Sequence, residues 1–156
     1  MKKVVVFLAL VLTCTTLKAQ YKGQGRVQYA NDMGFRSGLL GMNIGAEYFF
    51  LDNLSFSPSF SILFPATGKA SNLHLDARYY LTEETTQWYG LIGFANFRRR
   101  YELNPEIPLR NEPTLNLGGG LIHKLIDEIG INGEIKWQPQ SNSDFILKIG
   151  VLYFVN

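Results

Sequence analysis

The chain has 156 residues, with 15 Lys and Arg against 13 Asp and Glu, two His, one Cys and 46% apolar residues. Its length suits a single domain. One cysteine excludes a disulfide framework and a Cys-rich zinc site, and the near-balanced charge gives no basic footprint for nucleic acid.

The chain opens with Met1-Lys2-Lys3, an apolar run from Val4 to Leu12, and Leu17-Lys18-Ala19 before Gln20. A basic start, an apolar middle and a small-residue junction predict a signal peptide over 1–19 and an exported domain over 20–156. The apolar run is shorter than the roughly 18 to 20 residues of a membrane-spanning helix, so a retained anchor ranks below cleavage. Val11-Leu12-Thr13-Cys14 resembles a lipoprotein processing site, but Thr13 occupies a position that calls for Gly, Ala or Ser, and this option ranks last. Cleavage after Ala19 removes Lys2, Lys3, Lys18 and the only cysteine, leaving 12 basic and 13 acidic residues. The apparent basicity therefore belongs to the leader.

From there the dominant pattern is alternation with a period of two, the signature of amphipathic strands. A weak first strand lies near Arg26, Val27, Gln28 and Tyr29. In the second, Leu40, Met42, Ile44, Ala46, Tyr48 and Phe50 alternate with Gly41, Asn43, Gly45 and Glu47. After a turn at 51–53 the parity continues, with Leu54, Phe56, Pro58, Phe60, Ile62 and Phe64 against Ser55, Ser57, Ser59 and Ser61, which makes a hairpin with matched faces. Leu73, Leu75, Ala77, Tyr79 and Leu81 then alternate with Asn72, His74, Asp76, Arg78 and Tyr80. A strand over 88–98 is apolar on both faces and its phase is open. Leu115, Leu117, Gly119 and Leu121 alternate with Asn116, Gly118 and Gly120. Ile129, Ile131, Gly133, Ile135 and Trp137 alternate with Gly130, Asn132, Glu134 and Lys136. The last strand sets Phe145, Leu147, Ile149, Val151 and Tyr153 against Lys148 and Gly150.

Connections at 51–53, 82–87 and 124–128 are short, and those near 31–37, 65–70, 99–113 and 139–144 are longer on average. Short turns on one rim and longer loops on the other, with both termini on the short side, predict an all-β fold: one antiparallel up-and-down transmembrane β-barrel of about eight strands. A soluble lipocalin-like barrel also alternates but keeps its apolar face inside. Here the second face is Gly, Ser, Asn and mixed charge, too small to clothe a protein exterior. Aromatic residues near strand ends, at Tyr48, Phe49, Phe50, Tyr79, Tyr80, Trp88, Tyr89, Trp137, Tyr153 and Phe154, read as interfacial girdles.

Gly45-Ala46-Glu47-Tyr48-Phe49-Phe50 before Asp52-Asn53-Leu54, Leu75-Asp76-Ala77-Arg78-Tyr79-Tyr80-Leu81, Gly118-Gly119-Gly120 and the closing Ile149-Gly150-Val151-Leu152-Tyr153-Phe154 resemble the small porin-like outer-membrane β-barrel family of Bacteroidetes. The resemblance covers nearly all of 20–156. It implies residence in the outer membrane of a Gram-negative cell, with the barrel-assembly machinery, membrane lipids and lipopolysaccharide as partners. It leaves the activity open, since related barrels serve as anchors, adhesins, small channels and lipid-modifying enzymes.

Inside such a barrel the alternation places Arg26, Glu47, His74, Asp76, Arg78, Glu134, Lys136 and Lys148. A narrow lumen is filled by side chains, and buried charges persist when paired, so these residues read as a plug, with Lys148 opposite or diagonal to Glu134. The competing reading is an ion or proton path. Two further alternatives also arise: Gly118 to Gly120 suggest space or a lateral gap for a small solute. His74 with Asp76, plus a nucleophile drawn from Ser55 to Ser61, suggests a hydrolase, although these side chains point inward and His123 on the outer face has no serine beside it. Arg98, Arg99 and Arg100 fall where the fifth strand leaves the membrane and could meet lipopolysaccharide phosphates, or form a solvated rim balanced by Glu102, Glu106 and Glu112. Asp52, Glu83, Glu84, Asp127 and Glu128 make the other rim acidic. Pro105, Pro108 and Pro113 are expected to keep the longest loop out of the sheet. No metal or cofactor site is expected, and no extracellular ligand is specified.

Overall fold

The computed structural model describes residues 22–101, 106, 108–139 and 144–155. The predicted signal peptide and Cys14 lie outside these residues, as do Glu102 and Pro105. Eight strands follow one another: β1 (Gly25–Gly34), β2 (Leu40–Leu51), β3 (Leu54–Phe64), β4 (Lys69–Tyr80), β5 (Thr86–Arg100), β6 (Arg110–Lys124), β7 (Ile129–Gln138) and β8 (Asp144–Val155). Each pairs antiparallel with its neighbour in sequence, and β1 pairs with β8 to close the barrel. Closure satisfies the backbone of both outermost strands and leaves no sheet edge.

The strand faces follow the alternation. Val27, Tyr29, Met42, Ile44, Phe60, Ile92, Ile135, Ile149 and Val151 stand exposed on the outer wall, while Arg26, Asn43, Ser59, His74, Asn132 and Lys148 are buried inside. This is the reverse of a soluble barrel. The open phase of β5 is resolved: Gln87, Tyr89, Leu91 and Ala95 are buried, and Trp88, Ile92 and Phe94 are exposed.

The β2–β3 hairpin shows how local chemistry sets a face. Two residues, Asp52 and Asn53, lie between the strands, and neither has the positive φ that a type I′ turn requires. The register instead shifts between Phe49 and Leu51, so one extra residue bulges and both Phe50 and Leu51 point outward. Such a bulge adds local twist, which matches the short turn to twisted strands.

Three sequence expectations change. The first strand is longer than its weak signal, running to Gly34, because Asn31 and Asp32 keep the alternation although both are polar. The aromatic girdle loses Phe49, Tyr80, Tyr89 and Phe154, which are buried inside, whereas Tyr48, Phe50, Tyr79, Trp88 and Tyr153 ring the short-turn end of the outer wall. In runs such as Tyr48-Phe49-Phe50 adjacent rings take opposite faces. The loop expected over 99–113 shrinks to 101–109, and Pro113 lies within β6 opposite Asn96. Proline is tolerated there because, among the described residues, β7 pairs with β6 only from Leu117 onward, so no described strand calls on the N–H that Pro113 lacks.

The apolar outer wall carries a direct expectation. Ile92, 60% exposed near mid-height of β5, replaced by Arg should lower stability in lipid vesicles by about 2–4 kcal/mol, against about 0–1 kcal/mol for Leu51→Arg at the rim. Equal urea midpoints for the two variants would contradict a hydrocarbon-facing wall.

Candidate functional site

The interior is filled from the short-turn end upward. Phe49, Tyr80, Tyr89, Leu91, Ile122, Leu152 and Phe154 form its apolar base. The Arg26 guanidinium lies over the rings of Phe49 (4.6 Å) and Phe154 (4.7 Å) and donates to Gln87 Oε1 at 3.0 Å. Cation–π contacts of this kind strengthen when water is excluded. Arg26 also donates to the Tyr80 hydroxyl, which in turn donates to Glu47 Oε1 at 2.7 Å.

At mid-height the charges interlock. Glu47 pairs with Arg78 at 3.2 Å and with Arg26 at 3.8 Å, and accepts from Ser55 Oγ. Arg78 bridges Glu47 to Glu134 and lies over the Tyr89 ring. Glu134 is the hub: besides Arg78 it meets Lys136 at 3.1 Å and Lys148 at 3.5 Å, and the Tyr89 hydroxyl is 2.7 Å from Oε2. Lys148 stands directly opposite Glu134 in the β7–β8 register. Lys136 also pairs with Asp76. The described buried charges are four cations, Arg26, Arg78, Lys136 and Lys148, and four carboxylates, Asp32, Glu47, Asp76 and Glu134.

Above the hub a relay of side-chain hydrogen bonds orients His74. Asn116 Nδ2 donates to Asp76 Oδ1 at 2.6 Å and to His74 Nδ1 at 3.1 Å, while Asn116 Oδ1 accepts from Gln138. Nδ1 is thus an acceptor and the ring proton sits on Nε2, which faces Ser61 Oγ at 3.3 Å. Ser61 Oγ gives its own proton to Asp32 Oδ2 and accepts from Asn43 Nδ2. The hydroxyl proton therefore points to the carboxylate and away from the imidazole, opposite to what a serine nucleophile with a histidine base needs.

Glycines make room for this network. Gly93 faces Asp76 across the β4–β5 register, and a Cβ there would lie 2.2 Å from Asp76 Oδ1. Gly120 faces Glu134, and a Cβ there would lie 2.6 Å from the Tyr89 hydroxyl. The space at Gly120 is thus taken by the Tyr89 hydroxyl, and β6–β7 pairing runs unbroken from Leu117 to Lys124, so the wall is closed beside these glycines.

All eight interior residues read from the sequence are buried together. The carboxylate missed was Asp32, which shares the even parity of Arg26 and Gln28; that parity was the available signal. The arginine run separates: Arg99 lines a cup at the long-loop rim, with its guanidinium 4.4 Å over the Tyr101 ring, while Arg98 and Arg100 take the opposite phase on the outer wall. His123 is exposed outside, with Thr86 Oγ1 2.9 Å from Nδ1. The rim cup, bordered by Asp32, Ser61, Asn72, Thr114, Gln138 and Asp144, has a volume of about 80 Å³, room for several waters at roughly 10–15 Å³ each. The Glu134–Arg78–Lys136–Asp76 group lies beneath it.

Solved structures share this architecture. The N-terminal β-barrel domain of Pseudomonas aeruginosa OprF matches with a TM-score of 0.73 and 17% identity, over 87% of this chain and 100% of that one. Ail, the attachment invasion locus protein of Yersinia pestis, matches at 0.63 and 16%, over 86% and 100%. The outer membrane protein OprG of Pseudomonas aeruginosa matches at 0.65 and 12%, over 90% and 99%. No family model and no curated protein matches the chain. At these identities the likeness is one of fold, the closed eight-strand antiparallel barrel.

Glu134→Gln should cost about 3–5 kcal/mol, because it leaves three buried cations short of their shared counter-charge. Lys148→Gln should cost less, since Lys148 makes one ion pair, at 3.5 Å. Chemical unfolding of both variants in the same vesicles tests that order. Gly120→Val should also destabilise, by displacing the Tyr89 hydroxyl from Glu134, and pairing it with Tyr89→Phe in a double-mutant cycle should give non-additive losses.

Proposed function

We propose that the chain is an outer-membrane barrel with a filled interior, serving as a structural or surface-interaction protein that presents its longer loops outside the cell. The observation that carries this reading is the reversed polarity of the wall: apolar side chains face out all round, and the described buried charges balance within, all but Asp32 in ion pairs. An open aqueous pore needs a continuous lumen, and here the Glu134 hub and the Arg26 aromatic base occupy it in succession. That arrangement disfavours the channel alternative. The proton polarity at Ser61 likewise disfavours a hydrolase, as does the enclosure of His74.

Fold likeness to outer-membrane proteins such as Ail and OprG supports the location, and the motif resemblance to the porin-like family of Bacteroidetes supports a Gram-negative envelope as its setting. Export by a signal peptide over 1–19 and insertion by the barrel-assembly machinery complete the proposal.

Two measurements test it. Folded barrels of this type hold together in SDS until heated, so unboiled membrane fractions should run at a different gel mobility from boiled ones; unchanged mobility with the protein in the periplasmic fraction would reject the location. Purified protein in planar bilayers should give no steady unitary conductance. Reproducible open levels, abolished by a bulky substitution inside the barrel, would reject the filled interior.

A further inference from the structure

Near the long-loop rim the apolar outer wall gives way to a group of cationic side chains on β4 and β5. Ile62, Ser71 and Arg98 pair in one row across β3, β4 and β5. In the next row toward the rim Lys69 stands opposite Arg100, beside Phe64 at the end of β3. A groove of about 540 Å³ runs along this face, lined by Ile62, Phe64, Lys69, Ser71, Arg98 and Leu109, with Arg100 at its border opposite Lys69. Adjacent strands are about 4.8 Å apart and successive same-face residues about 7 Å, so all three cationic groups can converge on one small anion.

The arrangement is costly by itself. Lys69 and Arg100 are like charges placed directly opposite, which destabilises a strand pair. Neither they nor Arg98 form an ion pair among the described residues; the nearby Arg110–Glu112 pair lies on the inward phase of β6. Arg100 Nε is buried without a protein acceptor. The backbone also holds the cluster in place: Gly68 has φ +80°, and any Cβ there would lie 1.8 Å from Arg100 O, so the 65–68 loop packs on Arg100 and sets Lys69 against it. An acceptor-rich anion would offset the repulsion, and Arg in particular suits phosphate oxygens.

We propose that this groove binds a phosphorylated lipid of the outer leaflet, with Lys69, Arg98 and Arg100 on the phosphate, the Ser71 hydroxyl donating to it, and an acyl chain lying on Ile62 and Phe64. The site rests on the outer-membrane reading above, which puts the long-loop rim at the outer surface. A free anion would have no use for the apolar half of the groove, and that half is what selects a lipid. Arg99, turned into the cup, takes no part.

The test uses protein purified from outer membranes and placed in phosphatidylcholine nanodiscs that contain bisphosphorylated lipid A, its dephosphorylated form, or neither. Native mass spectrometry should show the phosphorylated lipid retained about tenfold or more over the dephosphorylated one, about 1.4 kcal/mol. K69A/R98A/R100A should lose that preference, Arg98→Gln alone should reduce it, and Arg110→Ala should keep it. Equal retention by wild type and the triple variant, or equal retention of both lipid forms, would overturn the site. Complete displacement by excess inorganic phosphate would overturn the lipid assignment in favour of a free anion. Heat-dependent gel mobility, read on the same samples, separates failure of this site from failure of the barrel itself: a variant that still shifts has kept the fold, and Arg98→Gln carries the test if the triple variant does not insert.

Discussion

Pairing between β1 and β8 is the constraint on which the molecule depends. In hydrocarbon no water is present to satisfy backbone groups, so a sheet can cross only if every strand has two neighbours. Closing eight strands fixes a narrow cylinder, and a narrow cylinder has an inside that must be filled. The inner face therefore has two tasks at once. It must pack, and because its sequence is polar it must also satisfy every charge it takes out of water.

The Glu134 hub answers both tasks. One carboxylate from β7 engages cations from β4, β7 and β8, and a second carboxylate on β2, Glu47, ties Arg78 to Arg26. Strands far apart in sequence are thereby linked across the lumen, independently of their ladder hydrogen bonds. Breaking any one partner leaves a buried charge behind, which is why such a network specifies one register for the strands it joins. The glycines at 93 and 120 show the same economy from the other side, since each gives up a side chain where a neighbouring strand's polar group needs the volume.

Most of this was legible in the sequence because the period of two carries its own bookkeeping: once Glu47, Asp76, Arg78, Glu134, Lys136 and Lys148 share a phase opposite to Ile, Leu and Phe, they must meet inside. What parity alone leaves open is where a strand stops. Asp32 reads as loop because Asn31-Asp32 with Gly34 just beyond mimics a turn, and its pairing with Gly41 and Lys148 shows that β1 continues. Pro113 reads as a breaker, yet it sits in a strand whose other neighbour has already ended. The aromatic runs mislead for a related reason. Phe49 and Tyr80 are as apolar as the girdle residues beside them, and composition is blind to the side they take; Arg26, needing faces to lie over, accounts for their inward turn.

The rim differs from the barrel in what it asks of a charge. Inside, each cation meets a carboxylate, on the neighbouring strand for Arg26 and Lys148 and across the lumen for Arg78 and Lys136. At the outer end of β4 and β5 the strands rise past the described β6–β7 pairing, and there the inward phase shares a cup with Asp32, Glu112 and Asp144. Arg99 turns inward and lies over Tyr101, while Lys69, Arg98 and Arg100 face out and form no ion pair among the described residues. The same alternation that balances the interior thus divides a run of three arginines between two environments. The described interior balances its own charges, and the outer wall at that rim is where the proposed lipid phosphate would meet its cations.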